Sequence, residues 1–380
     1  MKKRICFIVA TPLTAKAFLL KHFEYLSKEF DIYLVANFEE NAATLFSSPY
    51  VKETKHIGIQ RNIALIEDVK ALFSLRNYLV QMQFDAVHTV TPKAALLGIL
   101  GAKMAGVKIR IHIFTGQVWH SKKGIFRTLL KNLDRLIVYS ATHILVDGES
   151  QRQFLIQNKI IEEKNSRVLG KGSISGVDLG RFSPNTEIRD KYRKELNLSS
   201  EVIFMFLGRI NLDKGVLDLV QAFLRLNRKY NNSKLVLVGP DEENLKPQIK
   251  EMCPENNSVV FYGSTSKPEE VLQLADVFCL PSYREGFGTS VIEASLLELP
   301  IICSDTYGLM ETIVDDKTGL RHQVGNIDSI YNQMEKMMVD DDLRRALGNN
   351  GRNYVLENFS SDAISQEWVT YYTNLLSPKH

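Results

Sequence analysis

Val277-Phe278-Cys279-Leu280-Pro281-Ser282-Tyr283-Arg284-Glu285-Gly286-Phe287-Gly288-Thr289-Ser290-Val291-Ile292-Glu293 is the stretch on which the fold turns. The apolar run Val277-Phe278-Cys279-Leu280 reads as a short buried strand, and a glycine turn follows it into a helix. Strand, turn and helix amino end together form an anion site, because the first helical N–H groups lack partners and point outward. Two carboxylates, Glu285 and Glu293, stand eight positions apart around that site. Acids suit a ligand that carries hydroxyls as well as phosphate. One carboxylate can accept hydrogen bonds from a sugar and the other from a ribose, with a diphosphate between them. Gly286 and Gly288, on either side of Phe287, permit close backbone approach. Thr289 and Ser290 either cap the helix or donate to phosphate, and capping is the cheaper explanation.

A second motif, Gly208-Arg209-Ile210-Asn211-Leu212-Asp213-Lys214-Gly215, also follows a strand pattern, Val202–Leu207, and opens a helix expected from about Lys214 to Tyr230. Arg209 can fork onto phosphate oxygens and Lys214 can add a point charge. Together they would stabilise a departing diphosphate by preorganised charge. Alone, this motif reads equally well as a solvated loop with two bases. Paired with the acidic motif on a parallel strand of the same domain, it reads as one half of a site.

Around these motifs the chain alternates strand and helix. The expected strands of the first half are Arg4–Ala10, Ile32–Ala36, Ala86–Val90, Ile109–Phe114 and His143–Val146. In the second half Leu235–Val238, Val259–Phe261 and Ile301–Cys303 join the two runs already named. All are short and apolar, as strands covered on both faces should be. Leu65, Ile66, Val69, Leu72, Phe73, Leu79 and Val80 follow helix spacing, with Arg76 the one break in the stripe. The order of elements predicts doubly wound parallel sheets. At 380 residues two domains are expected. Residues 172–200, with Gly172, Gly176, Gly180 and Pro184 and little strand pattern, read as the linker. Residues 361–376 carry Ile364, Trp368, Tyr371, Tyr372 and Leu375 at helical spacing.

The net charge of +3 gives no argument for nucleic acid. Cys6, Cys253, Cys279 and Cys303 show no paired spacing and read as buried free thiols of a reducing compartment. Met1-Lys2-Lys3-Arg4 before an apolar run resembles a secretion signal, but the run is short and a first buried strand is the better reading. No segment has the ~18 uninterrupted apolar residues of a membrane helix. A cytoplasmic protein is expected, with room for a peripheral place on a membrane. Asp340-Asp341-Asp342 lies next to Leu343-Arg344-Arg345 and reads as a helix start rather than a metal site. The histidines show no ligand spacing either. In Trp119-His120-Ser121-Lys122-Lys123-Gly124-Ile125-Phe126-Arg127-Thr128-Leu129-Leu130-Lys131, bases alternate with apolar groups. It reads as a helix with one buried and one solvated face, or as a segment resting on an anionic membrane.

Gly208-Arg209, Lys214-Gly215, Ala275-Asp276-Val277-Phe278 with Pro281-Ser282, and Glu285 with Glu293 resemble the signature of family 4 retaining glycosyltransferases of bacterial surface-polysaccharide type. Gly176-Val177-Asp178-Leu179-Gly180-Arg181-Phe182-Ser183-Pro184 is similar to that family's interdomain segment, and the resemblance spans almost the whole chain. It implies a GT-B fold: two facing Rossmann-like doubly wound parallel-sheet domains with a C-terminal helix crossing back. Residues 1–178, with 361–380 packing back on them, would form the acceptor-side domain and residues 179–360 the nucleotide-sugar domain. The resemblance further implies that Arg209 and Lys214 bind the pyrophosphate, that Glu285 contacts the donor sugar and Glu293 the ribose, and that Tyr262-Gly263-Ser264 holds the base. Arg209, Lys214 and Glu285 would be the catalytic residues. Gly208, Gly286, Phe287, Gly288, Thr289 and Ser290 would complete the donor site. Where members commonly have a glycine pair, this chain reads Thr11-Pro12-Leu13-Thr14-Ala15-Lys16, with Lys16 or Thr14 as possible substitutes. Where many have His-Gly it reads Thr115-Gly116-Gln117, so no catalytic histidine is carried over. The acceptor side then falls on Lys16, Thr115, Gly116 and His120.

The expected activity is retaining transfer of a hexose or N-acetylhexosamine from a nucleotide diphosphate sugar, most readily UDP-linked. The acceptor is a polyprenyl-diphosphate-linked glycan at the inner face of the membrane. No metal or other cofactor is expected, because the two cations do a metal's work. The alternatives are a nucleotide-sugar 2-epimerase of the same fold, which needs no acceptor, and a non-catalytic glycan-binding partner subunit.

Overall fold

A computed structural model describes residues 2–38, 46–60, 64–253 and 258–377. The chain divides into two compact units, Met1–Gly176 with Ser361–His380, and Val177–Ser360. Met1 and residues 378–380, which the expected first domain includes, lie outside the described residues.

The first unit holds strands β1 (Lys3–Ile8), β2 (Phe30–Ala36), β3 (Glu53–His56), β4 (Ala86–Val90), β5 (Ile109–Phe114), β6 (His143–Val146) and β7 (Ser166–Arg167). They form one sheet in the order β3-β2-β1-β4-β5-β6-β7. Successive side chains of a strand face opposite sides of the sheet, and β1 shows what that does here. Ile5 and Phe7 enter one core with Phe23, Leu34 and Trp368. Cys6 and Ile8 enter another with Val35, Leu75 and Val87. A strand sandwiched in this way must be apolar throughout, which is why its sequence reads as a continuous run.

The second unit holds β8 (Val202–Leu207), β9 (Ser233–Val238), β10 (Val259–Gly263), β11 (Val277–Leu280), β12 (Ile301–Ser304) and β13 (Leu320–His322). Their order is β10-β9-β8-β11-β12-β13, and every pairing in both sheets is parallel. Both units are therefore doubly wound. The chain leaves β8 toward one edge and returns to β11 on its other side, and this reversal is where ligands bind in such sheets.

Three sequence expectations need correction. The linker expected over residues 172–200 contains a helix, Thr186–Glu195. Asn185 caps it by accepting from the Ile188 N–H at 3.0 Å. Arg189 and Arg193 of this helix bind Asp276 at 2.5 and 3.2 Å, just ahead of β11. Charged residues dominate the helix, and its one buried side chain, Tyr192, gives too little apolar period to read. The stripe starting at Leu65 lies on a helix, Leu65–Met82, but that helix buries Ala71, Leu75, Tyr78 and Leu79. Leu65, Ile66, Val69, Phe73 and Val80 are exposed. The Trp119–Lys131 segment enters a helix, Gly124–Ser140, on which Ile125, Phe126 and Leu129 are exposed. Its outer face is apolar as well as basic.

The C-terminal helix, Ser361–Leu376, joins the first unit through a stack of aromatic rings. Trp368 lies between His22, at 4.2 Å and 6° between ring planes, and His88, at 5.0 Å and 2°. His22 Nε2 donates to the Ile174 carbonyl, so its neutral Nδ1 accepts from Ser365 Oγ at 2.9 Å. The Tyr372 hydroxyl meets His88 Nδ1 at 2.6 Å. Burial lowers all three imidazoles of this region, His22 and His112 to about 4 and His88 well below its ordinary value. The folded state therefore binds fewer protons than the unfolded chain below pH ~6.5, and stability must fall with pH through that window. Each shift from 6.5 to about 4 is worth on the order of 3 kcal/mol. We expect the melting temperature to drop steeply between pH 6.5 and pH 4, and less steeply in a His22→Gln variant. A flat profile over that range would contradict the neutral, buried state of these rings.

Cys6, Cys279 and Cys303 are buried free thiols, whereas Cys253 is half-buried at the end of the Lys246–Met252 helix. No helix among the described residues is long and apolar enough to cross a membrane.

Candidate functional site

The two motifs read from sequence meet at the carboxyl ends of β8 and β11, which are neighbours in the sheet. After β8 the chain passes Gly208 and Arg209 and makes a short 3-10 turn, Leu212–Lys214, ahead of the Val216–Lys229 helix. Asn211 caps that turn, its side chain accepting from the Lys214 N–H at 3.2 Å. After β11, Pro281 and Ser282 are buried and lead to Glu285. The loops are fastened together by backbone and charge. Tyr283 N–H donates to the Asp213 carbonyl at 2.8 Å, and Arg284 pairs with Asp213 at 2.8 Å. Gly215, at φ 67°, lies so close to Pro281 that a Cβ would stand 2.2 Å from its carbonyl oxygen.

Lys214 Nζ forms an ion pair with Glu285 Oε1, with side chains 16% and 11% exposed. Ser282 Oγ donates to the same carboxylate oxygen at 2.8 Å. Arg209 Nη1 meets Glu242 Oε2 at 2.9 Å, and Asn211 Nδ2 donates to that oxygen at 3.3 Å. Both cations therefore already hold a carboxylate. Any anionic ligand would have to compete with these carboxylates for them.

Gly288 is the amino cap of the helix Thr289–Leu296, at φ 67°, and no side chain caps it. The capping reading of Thr289 and Ser290 is thus corrected: they are the first helical residues, half-buried. Phe287 is 2% exposed and meets Phe359 edge-on at 5.2 Å. Its ring belongs to the core, which leaves only its backbone for a ligand. Glu293, on the same helix, is half-buried. Burial pushes its carboxyl up to about 7, against the pull of Arg181, while Glu269 adds to the rise. Arg181 and Glu269 pair at 2.7 Å. Tyr262 and Gly263 end β10, which runs two residues beyond the expected Val259–Phe261, and Gly263 has φ 92°. Its carbonyl accepts from Gly239 N–H at 2.8 Å, which ties the end of β10 to that of β9.

Sequence reasoning gave no role to Glu242, Ser282, Arg284 or Asp213, although Ser282 and Asp213 stand inside the quoted motifs. Only Glu242 carried a signal, the acids that follow Gly239-Pro240 at a strand end. The expected acceptor residues lie in the first unit. Lys16 is exposed on the short helix Pro12–Phe18. Thr115 and Gly116 follow β5, with Gly116 at φ 119°. His120 lies edge-on against Phe154 at 5.0 Å. Asp340 caps the Asp341–Asn358 helix through the Leu343 N–H at 2.8 Å, as its sequence suggested. Among the described residues no group of three His, Cys, Asp or Glu side chains is placed to hold a metal ion.

Two doubly wound parallel-sheet units in one chain match the GT-B fold. Sucrose-phosphate synthase from Thermosynechococcus elongatus shares the fold, with a TM-score of 0.83 at 19% identity over 98% of this chain and 99% of that one. The sequence profile of Glycosyl transferases group 1 matches residues 188–354. The chain is 30% identical over 381 residues to the capsular polysaccharide biosynthesis glycosyltransferase CapM of Staphylococcus aureus, covering 99% of this chain and 98% of that protein. It is 27% identical over 348 residues to UDP-Gal:alpha-D-GlcNAc-diphosphoundecaprenol alpha-1,3-galactosyltransferase of Escherichia coli, covering 90% and 88%. The chain belongs to the group 1 glycosyltransferases, family 4, and is a glycosyltransferase of the bacterial surface-polysaccharide type. Neither the epimerase nor the non-catalytic alternative gains support from these likenesses.

Proposed function

We propose that the protein transfers a hexose or N-acetylhexosamine, with retention, from a UDP-linked sugar to a saccharide carried on a polyprenyl diphosphate. The observation that carries this reading is the Lys214–Glu285 pair at the switch point, with Arg209 on the same loop as Lys214. The diphosphate takes Arg209 and Lys214 and faces the amino end of the Thr289–Leu296 helix. Lys214 is thereby drawn from Glu285, whose carboxylate becomes free to accept a sugar hydroxyl. Glu293 holds the ribose, and Tyr262 with Gly263 borders the base. The acceptor hydroxyl attacks the anomeric carbon on the face the diphosphate leaves, and the departing oxygen takes its proton. The two cations supply the charge a divalent ion would otherwise bring, so turnover should survive a chelator. The E. coli relative is named for a diphosphoundecaprenol-linked saccharide acceptor, and exposed apolar and basic side chains on Leu65–Met82 and Gly124–Ser140 suit a peripheral place on the membrane.

Incubation with UDP-sugars and a prenyl-diphosphate saccharide, followed by analysis of the new linkage, tests the reading. It requires UDP release that depends on acceptor, and an α-product from an α-donor. A changed sugar and UDP without acceptor would mean epimerisation, and an inverted product would remove the same-face mechanism.

The Glu293 role has its own signature. With its carboxyl near pH 7, the form that accepts two hydroxyls is lost below that pH. Binding of UDP should weaken by up to about tenfold from pH 8 to pH 6. In Glu293→Gln the affinity should be lower at pH 8 and nearly flat with pH. Calorimetry that shows the wild-type dependence retained in Glu293→Gln would assign the titration to another group.

A further inference from the structure

The helices Leu65–Met82 and Gly124–Ser140 both pack on the helix Pro92–Met104. Between them, over its amino end, runs a groove of about 750 Å³. Val69 and Leu72 form one wall, Leu129 and Leu133 the other, Leu96 the floor, and Trp119 one end with Thr115 and Gly116. The groove lies wholly within the first unit. Its rim is unusually apolar for exposed protein. Of its lining residues Leu65 is 76% exposed, Val69 53% and Leu129 50%. An exposed apolar patch of this kind marks an interaction site.

Charge indicates what fills it. Arg127 and Lys131 lie over the Trp119 ring, 5.7 and 5.1 Å from its centroid. Lys122, Lys123 and Arg135 continue the basic series along the same segment. Among the described residues none of these five pairs with a carboxylate. Asp134, the acid on the same helix, is buried and accepts from Trp119 Nε1 at 2.7 Å. The other acid at the groove, Asp68, is held by Lys93 at 2.7 Å. Arg127 and Lys131 are not themselves among the residues that line the groove, and Lys131 Nζ donates to Asn158 Oδ1 at 3.1 Å. Stacked on the Trp119 that closes one end, they place charge that no carboxylate neutralises behind an apolar channel, which complements a long hydrocarbon that terminates in an anion.

We infer that this groove binds the isoprenoid chain of the acceptor, with Arg127 and Lys131 beside its diphosphate at the Trp119 end. The inference rests on the lipid-linked acceptor proposed above, and it adds where the lipid is held and by which side chains. It makes chain length and branching part of acceptor choice. A tail too short to reach between Val69 and Leu129 loses the contact that positions its diphosphate.

The probe is farnesyl diphosphate below its micellar concentration, titrated calorimetrically into the full chain. One-to-one binding is expected, at least tenfold tighter than inorganic diphosphate. The double variant Val69→Asp/Leu129→Asp changes two half-exposed positions and should weaken farnesyl diphosphate at least tenfold while the thermal shift by UDP stays as in wild type. If that variant loses its circular dichroism signal, Val69→Trp/Leu129→Trp, which fills the groove, should show the same loss. Unchanged affinity in a folded variant overturns the inference. So does equal binding of inorganic diphosphate. Binding to phosphatidylglycerol vesicles that is sensitive to the variant, with no binding of monomeric farnesyl diphosphate, would make the face a membrane contact instead. The parent reading fails separately. A protein that binds farnesyl diphosphate in the groove but transfers to no lipid-linked acceptor keeps the groove and loses the acceptor. A protein whose KM for such an acceptor ignores the variant keeps the acceptor and loses the groove.

Discussion

Lys214→Ala should lower kcat by about 10²–10³-fold, the scale expected when one preorganised group facing developing charge is removed. Charge on the diphosphate grows as its bond to the sugar breaks, so a cation fixed beside it stabilises the transition state more than the ground state. In the donor-free protein Lys214 is already fixed, by Glu285 and by the capped turn it ends. Its backbone is therefore held in place, and only its ammonium has to pass from Glu285 to the diphosphate when the donor arrives. The KM for acceptor should not move. The fold should survive, because Tyr283 N–H to the Asp213 carbonyl and Arg284 to Asp213 still fasten the two loops, and Ser282 Oγ still serves Glu285. A structural explanation of the loss is separable from an electrostatic one. An aryl glycoside with a good leaving group needs less help from a cation, so the deficit with that donor should shrink to a few-fold. Wild-type turnover by a folded Lys214→Ala protein would remove the leaving-group assignment.

What the sequence disclosed follows from what each element buries. β4, β5, β6, β8 and β11 were legible to the residue, because strands covered on both faces are mostly apolar; the buried polar exceptions His88, Thr89 and His112 have hydrogen-bond partners. β3 was not, since Glu-Thr-Lys-His is exposed at the sheet edge and has no apolar signal. β7 and β13, at two and three residues, are shorter than any periodicity. The helix Leu65–Met82 was found, yet its buried face was misjudged. The largest side chains were counted, while the packed face uses Ala71 and Leu75 and leaves Phe73 outside. That error is informative, because a large apolar face the fold leaves exposed calls for a ligand. Arg209, Lys214, Glu285 and Glu293 could each be singled out from the strand or helix they adjoin. Their partners Glu242 and Asp213 could not. Pairing across loops depends on which strands are neighbours, and no local pattern encodes that β8 lies beside β11.

Gly239→Ala should cost the second unit several kcal/mol and disable donor binding with it. Gly239 follows β9 at φ 137°, a region L side chains rarely adopt, and a Cβ there would stand 1.9 Å from the Gly208 carbonyl oxygen. The obstructing atom is backbone, so no rotamer relieves the clash. Overpacking costs about 1–3 kcal/mol, and the backbone conformation adds about 1–3 kcal/mol. At about 2–4 °C per kcal/mol for a unit of this size, melting should fall by roughly 10 °C. Relief requires the Gly208–Arg209 segment to move away from β9. That movement breaks the Ile210 N–H to Pro240 bond at 2.8 Å and draws Arg209 from Glu242. UDP affinity should therefore fall at temperatures where the protein remains folded. Gly263→Ala is the control, with a positive φ of 92° but no atom within 4 Å of the new Cβ. It bears the backbone cost alone and should lose about half as much stability. If the two variants melt together, the close approach of β9 to the Gly208 loop does not set the site's geometry. If Gly239→Ala melts early yet binds UDP as wild type does, Arg209 is not held in place from β9.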